Sequence, residues 1–246
     1  IYLPDLEPGL AVRFLAQFAS KVAVTFPEVT RFFRPGKAVA TGYPVRKELL
    51  EVSRDEAVRL FGLEKGLKTL LVFGGSRGAR SINRALAEAL PALLEQCQVI
   101  HISGKLDYEE MKRKRDELPD CKRARYHLYS YLHQEMGAAL AVADLVVARA
   151  GAATLGELPA VGKPSVLVPY PYAGGHQERN ADYLVRYGAA VKIKDDELKE
   201  RFLPVVMELL SDEEKLKAMR EGASRLARPW AAYALARELR ALAGRT

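Results

Sequence analysis

From Lys68 onward the chain alternates short β-type runs with stretches of helical period, and nothing else in the sequence constrains its fold as tightly. The runs cover residues 69–73, 98–102, 124–128, 144–148, 165–169 and 189–193, and each ends in a glycine or polar loop. Between the first two, apolar residues recur at Ile82, Ala85, Leu86, Ala89, Leu90, Leu93 and Leu94, the spacing that lays one helical stripe against a sheet. Strands separated by helices pair in parallel, and the crossover helices cover both faces of the sheet. The expected fold class is therefore α/β, a parallel sheet wound on both sides.

The first 45 residues read differently. A helix over 8–20, a strand over 21–26 and a short strand over 37–41 cannot close a core alone, so they read as the tail of a preceding domain. Residues 42–67, with a helix over 53–61, then connect it to the alternating part. Residues 195–244 are nearly all helical, and Pro229 lets the last segment change direction. The chain starts at Ile1 rather than Met, so unless it was trimmed it is expected to lack its true beginning.

Composition excludes several classes. With 49% hydrophobic and 28% charged residues the chain is neither disordered, collagen-like nor coiled-coil. Two cysteines, Cys97 and Cys121, do not make a disulfide framework and fit a reducing, cytoplasmic compartment. The longest apolar stretches, 70–73 and 138–143, fall far below the ~18 residues of a membrane span. The net charge of +7 invites an anionic partner, whether nucleic acid, acidic lipid or a phosphorylated metabolite. Its densest basic run, 112–115, is interleaved with acids such as Asp116 and Glu117 and reads as a solvated helix, so no nucleic acid is expected. Cys97-x3-His101 and Cys121-x5-His127 lie on or beside expected strands without a second pair, so they read as core or edge residues and no metal is expected.

In an open parallel sheet, ligands bind beyond the carboxyl ends of the strands. After the run 69–73 comes Gly74-Gly-Ser-Arg-Gly-Ala79, opening a helix. Its glycines let backbone N–H groups approach an anion, and Ser76, Arg77 and Arg80 add a hydroxyl and charge. The same residues also satisfy Gly-x-Ser-x-Gly, the nucleophile elbow of a serine hydrolase, with Ser76 attacking and Asp144 and His176 following as acid and base. In the loop 149–157, Thr154 and Glu157 stand three apart, which suits either a helix-capping box or a carboxylate that grips a ribose diol. The loop 170–180 carries His176, Gln177 and Asn180 beside two glycines, either holding sugar hydroxyls or solvated.

Taken together, Thr41-Gly-Tyr-Pro-Val-Arg46, Leu71-Val-Phe-Gly-Gly-Ser-Arg-Gly-Ala-Arg-Ser-Ile-Asn83, Arg149-Ala-Gly-Ala-Ala-Thr-Leu-Gly-Glu157 and His176-Gln-Glu-Arg-Asn180 resemble the MurG family, in order and spacing, over essentially the whole chain. That family comprises the N-acetylglucosaminyltransferases that complete the lipid-linked disaccharide of peptidoglycan. The resemblance implies a two-Rossmann-domain (GT-B) architecture: residues 1–45 as the end of the acceptor domain, 46–228 as the donor-binding domain, and 229–246 as a terminal helix packing back on the N-terminal domain. It further implies an inverting transfer of N-acetylglucosamine from UDP-N-acetylglucosamine to an undecaprenyl-pyrophosphoryl-muramoyl-peptide, without cofactor, at the anionic cytoplasmic face of the cell membrane.

The resemblance also distributes roles. Arg46, Gly75, Ser76 and Gly78 fall at the nucleotide and its phosphates. Ala152, Ala153, Thr154, Leu155, Gly156 and Glu157 line the donor, with Glu157 on the ribose, and Gln177 touches the sugar. A backbone contact to uracil falls near Leu132 or His133, where the loop 131–136 is one residue longer than the family pattern. Secondary positions are Asp5, Arg77, His133, His176 and Asn180. Arg77 stands where the family has glutamine, and Asp5 where Tyr2-Leu-Pro-Asp5 replaces a His-Glu-Gln-Asn segment. The family's glycine-rich, histidine-containing loop has no counterpart, so the general base is expected in a preceding segment. A module that binds the UDP-sugar and needs a separate acceptor-domain chain is the alternative.

Overall fold

A computed structural model describes residues 1–75 and 78–244, so the expectations for Ser76 and Arg77 fall outside the described residues. The N-terminal segment contains β1 (Tyr2–Leu3), α1 (Leu10–Phe18), β2 (Val22–Val24) and β3 (Ala38–Ala40), followed in the connector by α2 (Arg54–Phe61). The alternating region runs β4 (Lys68–Phe73), α3 (Arg80–Gln96), β5 (Cys97–Ile102), α4 (Tyr108–Asp116), α5 (Asp120–Arg123), β6 (Tyr126–Tyr129), α6 (Met136–Val142), β7 (Leu145–Ala148), α7 (Ala152–Ala160), β8 (Ser165–Leu167), α8 (His176–Arg186) and β9 (Ala190–Lys192). Helices α9 (Leu198–Ser211), α10 (Glu213–Leu226) and α11 (Ala231–Leu242) close the chain, with the break between the last two at Pro229.

Six strands form one parallel sheet in the order β6-β5-β4-β7-β8-β9. The chain winds outward from β4 on one side, then returns to its other side, so the order reverses between β4 and β7. That reversal opens a crevice at the carboxyl ends of these two strands.

Both faces are dry. Leu70 and Val72 of β4 point to the layer of α3 and α9, against Leu86, Leu90, Phe202 and Val206. Leu71 and Val146 point to the other layer, with Ala139 and Leu140 of α6 and Leu155 and Leu158 of α7. Strands buried on two faces need continuous apolar runs, and all six residues of β5 are buried. The expected strand over 124–128 begins only at Tyr126, because a short helix takes 120–123. The run 165–169 pairs as a strand only to Leu167.

β1, β2 and β3 make a second, three-stranded parallel sheet. It has no separate core: Leu3, Val24 and Phe26 share one apolar cluster with Leu71 and Leu184. Phe26 lies against Tyr183 of α8, with ring centroids 4.4 Å apart. Burying such a ring contributes about 1.5–3 kcal/mol. Polar links repeat the fastening: Glu7 pairs with Arg179 at 3.2 Å, and Glu28 accepts from Tyr183 and Tyr187 at 3.3 and 2.9 Å. Lys21 pairs with Glu238 of α11 at 3.1 Å. Among the described residues no helix is long and apolar enough to cross a membrane.

Candidate functional site

A cleft of about 970 Å³ opens at the carboxyl edge, where the loops after β4 and β7 face each other. Gly75 and Gly78 take φ of +90° and +78°, and a Cβ on Gly78 would collide with the Ser103 carbonyl oxygen. Only glycine fits there without strain. α3 then starts at Arg80, and among the described residues no side chain caps its first-turn amides.

α7 starts after Gly151, also without a side-chain cap. This removes the capping-box reading of Thr154 and Glu157. Thr154 is already inside the helix, where its hydroxyl donates to the Arg149 carbonyl at 2.9 Å, so the pair is not a capping box. Glu157 lies one turn further on and lines the cleft together with Arg46. Burial raises its carboxyl above the usual carboxylate range, and the Arg46 guanidinium partly offsets that. The Tyr43 phenol is raised first by burial and next by Glu157.

α8 follows Gly174 and Gly175, both at positive φ. Gln177 lines the cleft, its side-chain oxygen accepting from the Tyr170 amide at 3.0 Å. Asn180 is 1% exposed and so is not solvated. Its Nδ2 donates to the Ala150 carbonyl at 3.0 Å and to Asp5 at 3.2 Å. Both partners can only accept, which fixes the amide orientation.

The structure thus brings Arg46, Gly75, Gly78 and Leu132 to one cleft with Ala153, Thr154, Glu157 and Gln177. Other expected positions lie elsewhere. The Leu155 side chain points into the core, and Gly156 is covered by Tyr43. Ala152, Asp5, His176 and Asn180 are not among the residues that line the cleft, nor is His133, which packs on Tyr131 with ring centroids 4.5 Å apart.

The serine-hydrolase reading loses its acid. Asp144 sits at the amino edge of the sheet, accepting from the Thr69 amide at 2.8 Å and pairing with Arg54 at 3.0 Å. The glycine loop leaves the far end of the same strand, about 13 Å away at ~3.3 Å per residue. His176 Nδ1 is buried with no partner among the described residues, so no carboxylate orients it.

Sequence reasoning missed a clamp beneath the cleft. Arg149 pairs with Asp195, donates to Ser81 at 2.8 Å, and donates to the Val168 and Pro169 carbonyls at 3.2 Å each. One guanidinium so ties the loop after β7 to the chain after β4, β8 and β9. The only local signal was an arginine directly after a buried apolar run. Cys97 and His101 are core residues of β5, as expected. Burial pushes the Cys97 thiol up to about 12 and His101 down to about 3. Among the described residues no group of three or more His, Cys, Asp or Glu is placed to hold a metal.

A doubly wound sheet with a glycine loop and two open helix starts around the switch-point cleft is the architecture of a nucleotide-binding domain. Residues 69–232 match the glycosyltransferase family 28 C-terminal domain, and the chain belongs to that family. A Roseiflexus protein is 44% identical over 96% of this chain and 62% of its own length, and one from Chlorobaculum tepidum is 44% identical over 96% and 64%. Both are named UDP-N-acetylglucosamine--N-acetylmuramyl-(pentapeptide) pyrophosphoryl-undecaprenol N-acetylglucosamine transferase. The resemblance carried by the motifs is thereby borne out. The chain spans less than two thirds of these relatives. Among solved structures, Acinetobacter baumannii MurG superposes with a TM-score of 0.74 at 24% identity, covering 96% of this chain and 65% of that one. S. aureus MnaA with UDP gives 0.70 at 11% identity, covering 95% and 63%. These two likenesses bear out the expected fold.

Proposed function

We propose that the chain forms the donor side of an inverting N-acetylglucosaminyltransferase, binding UDP-N-acetylglucosamine for transfer to a lipid-linked muramoyl-peptide in peptidoglycan synthesis. One observation carries the reading: Glu157 and Arg46 line the same cleft as the glycine turn before α3, so a diol acceptor and a phosphate cradle face one ligand. Glu157 accepts from both ribose hydroxyls. The Gly75 to Gly78 turn and the first amides of α3 receive the pyrophosphate, with Arg46 and Arg80 supplying positive charge. Gln177 reaches the sugar.

The chemistry follows from this placement. The acceptor hydroxyl attacks the anomeric carbon from the face opposite the leaving UDP, which inverts the configuration. The C–O bond to the phosphate breaks, and negative charge grows on the pyrophosphate. Fixed amides and the positive end of α3 stabilise that charge more in the transition state than in the bound donor. No base is assigned among the residues of this chain. The net charge of +7 supports a peripheral contact with anionic membrane, where such an acceptor resides.

Calorimetric titration with UDP-N-acetylglucosamine tests the donor assignment, with UDP-glucose, TDP-glucose and NAD as controls. Selective binding of the first is expected. Equal affinity for all four, or binding of none by a chain that melts cooperatively, would overturn it.

A further inference from the structure

Gly156 lies in the middle of α7, directly before Glu157, and Tyr43 of the connector rests on it. A Cβ placed on Gly156 would stand 2.6 Å from Cγ and Cδ1 of the tyrosine ring, and closer still to its Cβ. These distances are well inside van der Waals contact, so the ring lies on bare helix backbone and no larger residue fits beneath it. Glycine is a poor helix former, second only to proline, and its place here is explained by what covers it.

Tyr43 is itself held from behind. Its ring packs against Tyr2 of β1, centroids 6.5 Å apart, and the Tyr2 hydroxyl donates to the Gly42 carbonyl at 3.4 Å. Pro44 follows, and a residue before proline is restricted to extended backbone. Three residues further along, Arg46 lines the cleft, while Glu157 lines it from α7. The Tyr43–Gly156 contact is therefore the direct join between the segment bearing the cation and the helix bearing the carboxylate.

We propose that Tyr43 is a positioning residue for the donor site: seated on Gly156, it sets the distance between Glu157 and Arg46, and hence the fit to a nucleoside diphosphate. The inference rests on the reading of the cleft as a UDP site. It predicts that the two residues act as a fitted pair, each size tolerated only with the other.

The test uses the full chain as wild type, Gly156→Ala, Tyr43→Ala and the double variant, titrated with UDP and with 2′-deoxy-UDP, with melting curves on each. Wild type should prefer UDP, because only the ribose offers Glu157 both hydroxyls. Gly156→Ala should lose about tenfold in UDP affinity, the worth of one well-made polar contact, along with much of the preference for the ribose. With Tyr43→Ala already present only the Cβ contact remains and the ring contacts are gone, so Gly156→Ala should cost less affinity and less stability than it does in wild type. A Gly156→Ala chain that binds UDP like wild type, or melts higher with Tyr43 in place, would overturn the proposal. Should Gly156→Ala fail to fold, Tyr43→Ala decides: weakened, less ribose-selective binding supports it, and wild-type binding refutes it. If wild type does not distinguish the two nucleotides, the ribose role of Glu157 falls, and UDP affinity across the four proteins still decides the pairing.

Discussion

Replacing Glu157 by glutamine should move binding and stability in opposite directions. The carboxylate accepts from two ribose hydroxyls in the proposed complex, whereas glutamine keeps one acceptor oxygen and no charge. Hydrogen bonds to a charged group contribute about 1.5–3 kcal/mol net, so the variant should bind UDP-N-acetylglucosamine about 10- to 150-fold more weakly. The unliganded chain should behave the other way. Burial raises the Glu157 carboxyl above its ordinary 4.5, with Arg46 only partly offsetting this, so the folded state favours the protonated form. For an acid with a raised folded-state pKa, the associated stability is fully present below the unfolded value and is lost as pH rises through the folded one. At neutral pH wild type therefore carries the cost of a desolvated carboxylate and glutamine does not. Glu157→Gln should melt higher at pH 7, with the gap closing as pH falls below the ordinary value. Calorimetry with UDP-N-acetylglucosamine and melting curves from pH 4 to 8 read both signs. Undiminished donor binding would refute the ribose assignment, and a lower melting point at neutral pH would refute the desolvation argument.

Gly78→Ala should destabilise the chain by at least about 1–2 kcal/mol, the cost of a left-handed non-glycine residue, before its collision with the Ser103 carbonyl is added. An unchanged urea midpoint would contradict this. Buried His101, held down to about 3, should destabilise the fold in acid. Its neutral form contributes stability that is present above the ordinary 6.5 and is lost as pH falls toward 3, at up to about 1.4 kcal/mol per pH unit. Urea midpoints between pH 3 and 7 should fall for wild type and flatten in His101→Gln; parallel curves would locate the acid sensitivity elsewhere. Asp195→Ala should leave the Arg149 guanidinium partly unpaired beneath the cleft, costing about 1–3 kcal/mol and weakening donor binding in titrations, and wild-type values in both would discount the clamp.

The wound sheet was legible because buried parallel strands and the helices between them leave different periods in the chain. Strand ends were less so: Ala124 looks like strand, but the short helix over 120–123 delays pairing to Tyr126. β1 has two residues, too few for any period to show. At the site, Thr154, Glu157 and Gln177 could be named because each lies in a loop that follows a strand, and Arg46 because it ends a motif of the family resemblance. The capping-box reading failed on a boundary, since spacing alone does not say that α7 starts at Ala152 rather than after Thr154. Chain order likewise could not reveal that Asp144 lies at one edge of the sheet and the glycine loop at the other. Arg149, Ser81 and Asp195 meet only through the sheet order, which brings the chain after β4, β7 and β9 to one edge, with β8 between the last two.

The fastening of α8 to the N-terminal segment crosses the boundary of the family-defined unit. The family-defined unit spans 69–232, yet α8 depends on residues that precede it for a covered Tyr183 face and for partners to Arg179, Asn180 and the tyrosine hydroxyls. Cutting at the family boundary would expose that apolar face and remove Glu7 from Arg179, Asp5 from Asn180 and Glu28 from the tyrosine hydroxyls. The smallest piece expected to melt as one body therefore includes Asp5, Phe26 and Glu28, and the helix that presents Gln177 packs on a stretch of chain that does not line the cleft.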